Sequence, residues 1–89
     1  MDIVTNVKLR LDDQYTFSIS QEVDKKGLVE VALVYRRDGV PKGFVPCMYW
    51  ATSWAGDEYD DDVIRFLNGH EVADLLLLAK EYIYTKDNR

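Results

Sequence analysis

The amino-acid sequence predicts an α+β domain: an antiparallel four- to five-stranded β-meander with one C-terminal amphipathic helix packed on the sheet. Two observations lead to this class. Through much of residues 3–50 apolar side chains alternate with polar ones, the period of half-buried strands. Over residues 69–84 they recur at intervals of three and four, the period of a helix with one buried side. With 89 residues the chain can build one hydrophobic core, so we expect a single domain over 1–89.

Apolar and polar side chains alternate most clearly in three segments, and between them lie residues typical of tight turns. The strand-like segments are VKLRL (7–11), YTFSIS (15–20) and LVEVALVY (28–35), and the turns are Asp12-Asp13, DKKG (24–27) and Arg37-Asp38-Gly39. GFVPCMYW (43–50) is expected to complete the meander. Pro46 indicates an edge or irregular strand there, because proline has no N–H to donate to a ladder.

The region after the meander is the least regular. Residues 51–62 are expected to form an acidic and aromatic loop, and VIRFL (63–67) to form a strand or a short helix. We favour a strand because Asn68 and Gly69 interrupt the pattern at once. A helix remains the alternative, since acidic residues before it would interact favourably with the helix dipole.

The C-terminal segment is the strongest single prediction. Asn68 and Glu71 fit a capping box, which marks a helix start. The core-facing positions are Val72, Leu75, Leu76, Ala79, Tyr82 and Ile83. A second apolar stripe, Ala73, Leu77 and Tyr84, needs cover from the 50–62 loop or from a second copy of the chain. We assign these three residues to a homodimer interface.

Charge is distributed unevenly along the chain. Residues 1–50 carry seven acids and seven bases, whereas residues 51–89 carry nine acids and four bases, so the net charge of −5 belongs to the C-terminal part. Five of those acids lie within GDEYDDDV (56–63): Asp57, Glu58, Asp60, Asp61 and Asp62. This balance disfavours direct nucleic-acid binding and favours a basic partner.

The sequence contains no set of residues typical of catalysis. It has no glycine-rich phosphate loop, paired-cysteine metal motif or nucleophile–base signature, so we expect neither an enzyme nor a cofactor. A small enzyme or metal-dependent hydrolase is the last-ranked alternative, because carboxylates are abundant. His70 is interpreted as a solvated first-turn residue and Cys47 as a small buried hydrophobe in a strand. The longest apolar run, 75–79, is too short to cross a bilayer. With no cationic leader and one cysteine, we expect a cytoplasmic protein.

Three readings of the acidic run remain open: a solvated patch, a cation site and a surface that binds a partner. A calcium loop would need spaced acids and a glycine that are missing here. If the run is extended, Glu58, Asp60 and Asp62 face one side about 6.6 Å apart, twice the rise per strand residue. Such a row resembles the charge pattern that a DNA backbone offers to a basic protein.

Aromatic residues flank the acids. Trp50 is expected to close one end of the core, while Trp54 either pins the following loop or joins a contact surface. The sequence therefore predicts a non-enzymatic interaction or inhibitor protein, with a DNA mimic as its narrowest form. The candidate partner-binding residues are Asp57, Glu58, Asp60, Asp61, Asp62, Tyr59 and Trp54.

In size, charge and lack of catalytic groups the chain resembles phage-encoded inhibitors of host DNA-binding proteins, although no motif carries that resemblance. The alternative is a regulatory or accessory subunit that acts through its apolar C-terminal helix. In that case the acids serve only solubility.

Overall fold

The computed structural model describes residues 3–22, 28–56, 59 and 61–87, and these residues form one antiparallel sheet with helices after its fourth and fifth strands. The predicted α+β class is confirmed. The strands are β1 (Ile3–Arg10), β2 (Tyr15–Glu22), β3 (Val29–Arg37), β4 (Val40–Val45) and β5 (Ile64–Leu67). The helices are α1 (Cys47–Trp50), α2 (Thr52–Ala55) and α3 (Gly69–Asp87).

The first four strands form the predicted meander in the order β1-β2-β3-β4. β2 pairs with β3 from Tyr15 opposite Tyr35 to Ser20 opposite Glu30. The other side of β3 is shared, because β4 pairs with its C-terminal part and β5 with its N-terminal part. The favoured prediction of a fifth strand at 63–67 is therefore confirmed.

Two of the predicted turns have the expected backbone. Asp38 and Gly39 both have positive φ, 54° and 79°, the conformation that a two-residue hairpin turn requires. At the first turn, Asp12 Oδ1 accepts hydrogen bonds from the backbone N–H groups of Gln14 and Tyr15, each at 2.8 Å. The predicted turn at 24–27 lies outside the described residues.

The segment after β4 differs from the prediction. The strand ends at Val45, and Cys47–Trp50 is a helical turn rather than the end of the meander. Cys47 and Trp50 stand three positions apart, so one helical turn directs both into the core, where both are buried. Thr52–Ala55 is a second short helix inside the predicted 51–62 loop.

α3 confirms the predicted helix and continues to Asp87. The capping box is formed reciprocally: Asn68 N–H donates to Glu71 Oε1, and Glu71 N–H donates to Asn68 Oδ1, both at 3.0 Å. Every residue of the predicted main stripe is at least half-buried, with the deepest contacts made by Leu75, Ala79 and Ile83.

The core lies between one sheet face and the layer formed by α1 and α3. Trp50 packs edge-on against Phe17 with ring centroids 6.0 Å apart, so it is part of the core as predicted. Tyr82 packs edge-on against Tyr15 at 6.1 Å. Among the described residues, no helix combines the length and hydropathy needed to span a membrane.

Candidate functional site

β5 contains a bulge that displaces one aromatic side chain. Val29 pairs with Leu67 and Val31 pairs with Ile64, so three steps along β5 match two steps along β3. Phe66 sits in this bulge with φ of 62°, and its ring is 61% exposed. A bulky residue rarely adopts that conformation, which costs of order 1–3 kcal/mol unless surrounding contacts compensate. The bulge lets Ile64 and Leu67 both enter the core while Phe66 faces outward.

Phe66 borders a cleft of about 500 Å³ that we call the aromatic cleft. Trp54 reaches it from α2 and is 38% exposed. Tyr59 reaches it from residues 57–62, which we call the acidic segment. The full lining is Trp54, Ala55, Tyr59, Ile64, Arg65 and Phe66. The structure therefore brings together the two aromatic residues that the sequence nominated, Trp54 and Tyr59, and adds Phe66.

Asp61 fixes the end of the acidic segment next to this cleft. Its Oδ1 accepts hydrogen bonds from the backbone N–H groups of Asp62, at 2.7 Å, and Val63, at 3.2 Å. Its backbone carbonyl accepts one from the N–H of Cys47 at 3.3 Å. The Tyr59 hydroxyl donates to the carbonyl of Val63 at 3.0 Å. These bonds tie the segment to α1 and to the approach to β5.

Arg65 joins the acidic segment to the sheet. Its Nη1 lies 2.5 Å from Asp61 Oδ2, and its Nε lies 3.5 Å from Glu30 Oε2 on β3. The hydrogen bond from Arg65 is the main cause that lowers the pKa of Asp61, and the same bond raises the pKa of Arg65. Because both side chains are more than 40% exposed, water screens this pair.

Only part of the predicted acidic surface falls within the described residues. Asp57, Glu58 and Asp60 lie outside them, so their predicted alternation is neither supported nor contradicted. Asp62 is half-buried, and Asp61 already binds Arg65 and two backbone N–H groups. Of the two described acids, Asp61 is therefore occupied by contacts within its own chain.

Cys47 is buried and His70 is exposed, as the sequence predicts, but Cys47 lies in a different element from the predicted one. Cys47 is fully buried, and burial, followed by the nearby charges of Asp61 and Asp62, raises the pKa of its thiol to about 11. Such a thiol is not an activated nucleophile. Its predicted place in a strand is wrong, since it opens α1. His70 is exposed in the first turn of α3, as predicted.

The second stripe of α3 faces outward in this chain. Ala73 is exposed, Leu77 is 54% exposed and Tyr84 is 70% exposed. Leu77 and Tyr84 line a shallow groove of about 370 Å³ together with Lys80, Glu81 and Thr85. The sequence predicts that this stripe is covered either by the 50–62 loop or by a second copy of the chain. The described part of the 50–62 loop does not cover it.

Sequence reasoning missed Phe66 and Arg65. Strict alternation in VIRFL would place Ile64 and Phe66 on one face, and only the bulge separates them. In a bulge with one residue in the left-handed conformation, that residue is usually glycine. Here it is Phe66. The sequence offered no signal for it.

No protein-family model, no curated protein and no solved structure matches the chain. Within the described ranges, no group of three or more His, Cys, Asp or Glu side chains is arranged to hold a metal ion. In the part of the chain that the structure describes, the candidate site is the aromatic cleft, with Asp61 bound to its lining residue Arg65.

Proposed function

We propose that this chain is a non-enzymatic interaction protein that binds a basic partner through the aromatic cleft and the adjoining acidic segment. The supporting observation is the exposed ring of Phe66, held outward by a left-handed backbone conformation that a phenylalanine adopts only at a cost. Interaction sites gain most of their affinity from a few aromatic or arginine anchors.

The neighbours of Phe66 fit a contact surface. Trp54 supplies a second partly exposed ring, and the hydrogen bonds of Asp61 hold the end of the acidic segment beside the cleft. The five carboxylates of residues 57–62 would steer a basic partner toward those rings. In this arrangement the rings provide affinity and the acids provide speed and selectivity.

Phosphate mimicry is the narrower form of the proposal. It requires Glu58, Asp60 and Asp62 to form a row, because Asp61 is engaged with Arg65. An inhibitor of this kind would compete with DNA for the basic groove of a DNA-binding protein. Competition between DNA and the chain for its captured partner tests this form separately.

The experiment is a comparison of capture from cell extract by four immobilised proteins. Wild type is set against Phe66→Asn, which keeps a residue tolerant of positive φ but removes the ring. A triple Asn variant at Asp60, Asp61 and Asp62 removes three charges, and Phe44→Asn is the matched control, since Phe44 is also about half exposed (51%) but lies on β4.

We expect one protein to be captured by wild type and by Phe44→Asn but lost with Phe66→Asn. The triple variant should lose it as well, and raised salt should weaken capture because exposed charge contacts are screened. Capture that survives both Phe66→Asn and the triple variant would refute this surface as the binding site.

One observation favours a second candidate, a subunit that assembles through α3: Leu77 and Tyr84 are more than half exposed on one groove. Self-association there predicts a homodimer by light scattering, and Leu77→Glu should yield a folded monomer. Lys80→Glu, also on the exposed side, is the control for charge alone. A monomeric wild type would exclude the homodimer.

A further inference from the structure

The sheet has two unequal outer edges: β1 forms one, and β4 together with β5 forms the other. β5 has only four residues and contains the bulge at Phe66. β4 contains Pro41 and Gly43 in six residues, and its pairing with β3 shifts between Tyr35 and Arg36. Such features disfavour pairing with a further strand. β1 has eight residues with neither proline nor glycine. Its register with β2 shifts once, between Ile3 and Thr5, and then runs without interruption to Arg10. No strand within the described ranges pairs with its outer side.

The two faces of β1 carry different chemistry at this edge. Val7 and Leu9 point to the core side, opposite Ile19 and Phe17, yet they stay 41% and 37% exposed and neither packs against the buried core cluster. An apolar strip therefore continues from the core to the edge. A strand placed beside β1 would bury it and would find a row of backbone donors and acceptors.

On the opposite face β1 presents two positive charges. Lys8 and Arg10 lie across from Ser18 and Thr16, so neither has an acidic cross-strand partner. Asp13 approaches Arg10 at 3.6 Å, but the pair is exposed and contributes little. Within the described part of the chain, no ion pair involves Lys8.

We propose that the outer edge of β1 binds an extended peptide segment of a partner protein, in which acidic residues alternate with apolar ones. The backbone of that segment would add a strand to the sheet. Its acidic side chains would face Lys8 and Arg10, and its apolar side chains would pack beside Val7 and Leu9. This site lies on a different strand from the aromatic cleft, and its function does not depend on the proposal above.

Charge argues against a second copy as the occupant. Two antiparallel β1 strands would bring Lys8 and Arg10 of both chains to one face of a joined sheet, and like charges on neighbouring strands are destabilising. Basic residues on an edge strand are a common protection against self-association. The same residues favour an acidic strand.

The test uses a labelled eight-residue peptide that alternates glutamate with valine and carries blocked ends. Binding is followed by fluorescence anisotropy, and its location by NMR shifts of backbone amides in residues 5–10. Two control peptides accompany it: one with lysine in place of glutamate, and one N-methylated at every residue, which has no backbone N–H to donate to an edge on either side. Lys8→Glu is compared with Lys80→Glu on α3, both positions being exposed.

We expect the acidic peptide alone to bind and to shift the amides of β1. Lys8→Glu should weaken binding roughly tenfold or more, as reversal of an interface charge does, while Lys80→Glu should leave it unchanged. Equal binding of either control peptide overturns the proposal. So does a wild-type dimer that dissociates when Val7 and Leu9 are changed to threonine, because the occupant is then a second copy.

Discussion

The sheet with α3 and the segment between residues 46 and 67 are built by different means. In the first, regular periods place Phe17, Leu33 and Leu75 in the core, and all three are fully buried. In the second, two single-turn helices and a bulge direct side chains one at a time, so that Trp50 goes inward and Phe66 outward. The periodic pattern thus builds the core, whereas the local irregularity turns the ring of Phe66 toward the surface.

The largest expected contrast is between two phenylalanines, one from each region. Phe17→Ala removes a fully buried ring and should lower the free energy of unfolding by about 3–5 kcal/mol, or prevent folding altogether. Phe66→Ala removes a ring that is 61% exposed and should cost less than about 1 kcal/mol. Urea unfolding measures both. A loss at Phe66 as large as at Phe17 would mean that the Phe66 ring serves packing rather than contact.

The second contrast concerns Cys47, one of the residues between 46 and 67 that lie in the core. Its folded pKa of about 11 lies above the unfolded value. As pH rises past the unfolded pKa, the thiol ionises in the unfolded chain first, so stability is full below that pH and falls until about 11. At about 1.4 kcal/mol per pKa unit, the loss reaches about 2–3 kcal/mol at most.

The measurement is the slope of unfolding free energy against pH in wild type and in Cys47→Ala. Tyrosine and lysine titrate in the same alkaline range, and the alanine variant shows their share alone. A smaller alkaline loss in Cys47→Ala is the expected result. Equal slopes in the two proteins would contradict the buried, neutral thiol.

The third contrast compares glycine with alanine at the positions of the two exposed phenylalanines, Phe66 and Phe44. At position 66 glycine should be more stable than alanine by about 1 kcal/mol, because a left-handed conformation is unfavourable for any residue with a Cβ atom. At position 44, inside a strand, glycine should be less stable than alanine by about 0.5–1 kcal/mol. The sign of the Gly–Ala difference is the readout, from thermal or urea unfolding. The same sign at both positions would contradict the strained bulge.

These contrasts also show what the sequence could reveal. Alternation through Tyr15, Phe17 and Ile19, the Asp38-Gly39 turn and the Asn68–Glu71 capping box each depend on neighbours in sequence, and each prediction was confirmed. The strand prediction for residues 47–50 was wrong because four residues are too few to distinguish one helical turn from an irregular strand.

The candidate site was less predictable for a different reason. Trp54 and Tyr59 were nominated from composition, but the cleft that joins them depends on α2 and on the bulge, which are set by packing. The bond between Asp61 and Arg65 depends equally on the path of the chain into β5. Neither is encoded in a period or a motif, so tertiary structure was needed to find them.

The smallest expected effect concerns the ion pair between Asp61 and Arg65. The lowered pKa of Asp61 contributes stability above its unfolded pKa, and this contribution is lost as pH falls through the folded pKa. Because the pair is exposed, we expect Arg65→Gln to change stability at neutral pH by only about 0–1 kcal/mol. Carboxyl carbon NMR should show the pKa of Asp61 rising in Arg65→Gln and unchanged in Lys80→Gln.

Some depression of the Asp61 pKa should persist in Arg65→Gln, since the N–H groups of Val63 and Asp62 still bind its carboxylate. An unchanged pKa would assign the whole effect to those backbone bonds. The same variant removes one positive charge from the cleft and releases one carboxylate, so capture of a basic partner should strengthen. Weaker capture would instead place Arg65 itself among the residues that the partner contacts, and the aromatic cleft would then act as a mixed-charge site rather than an acidic one.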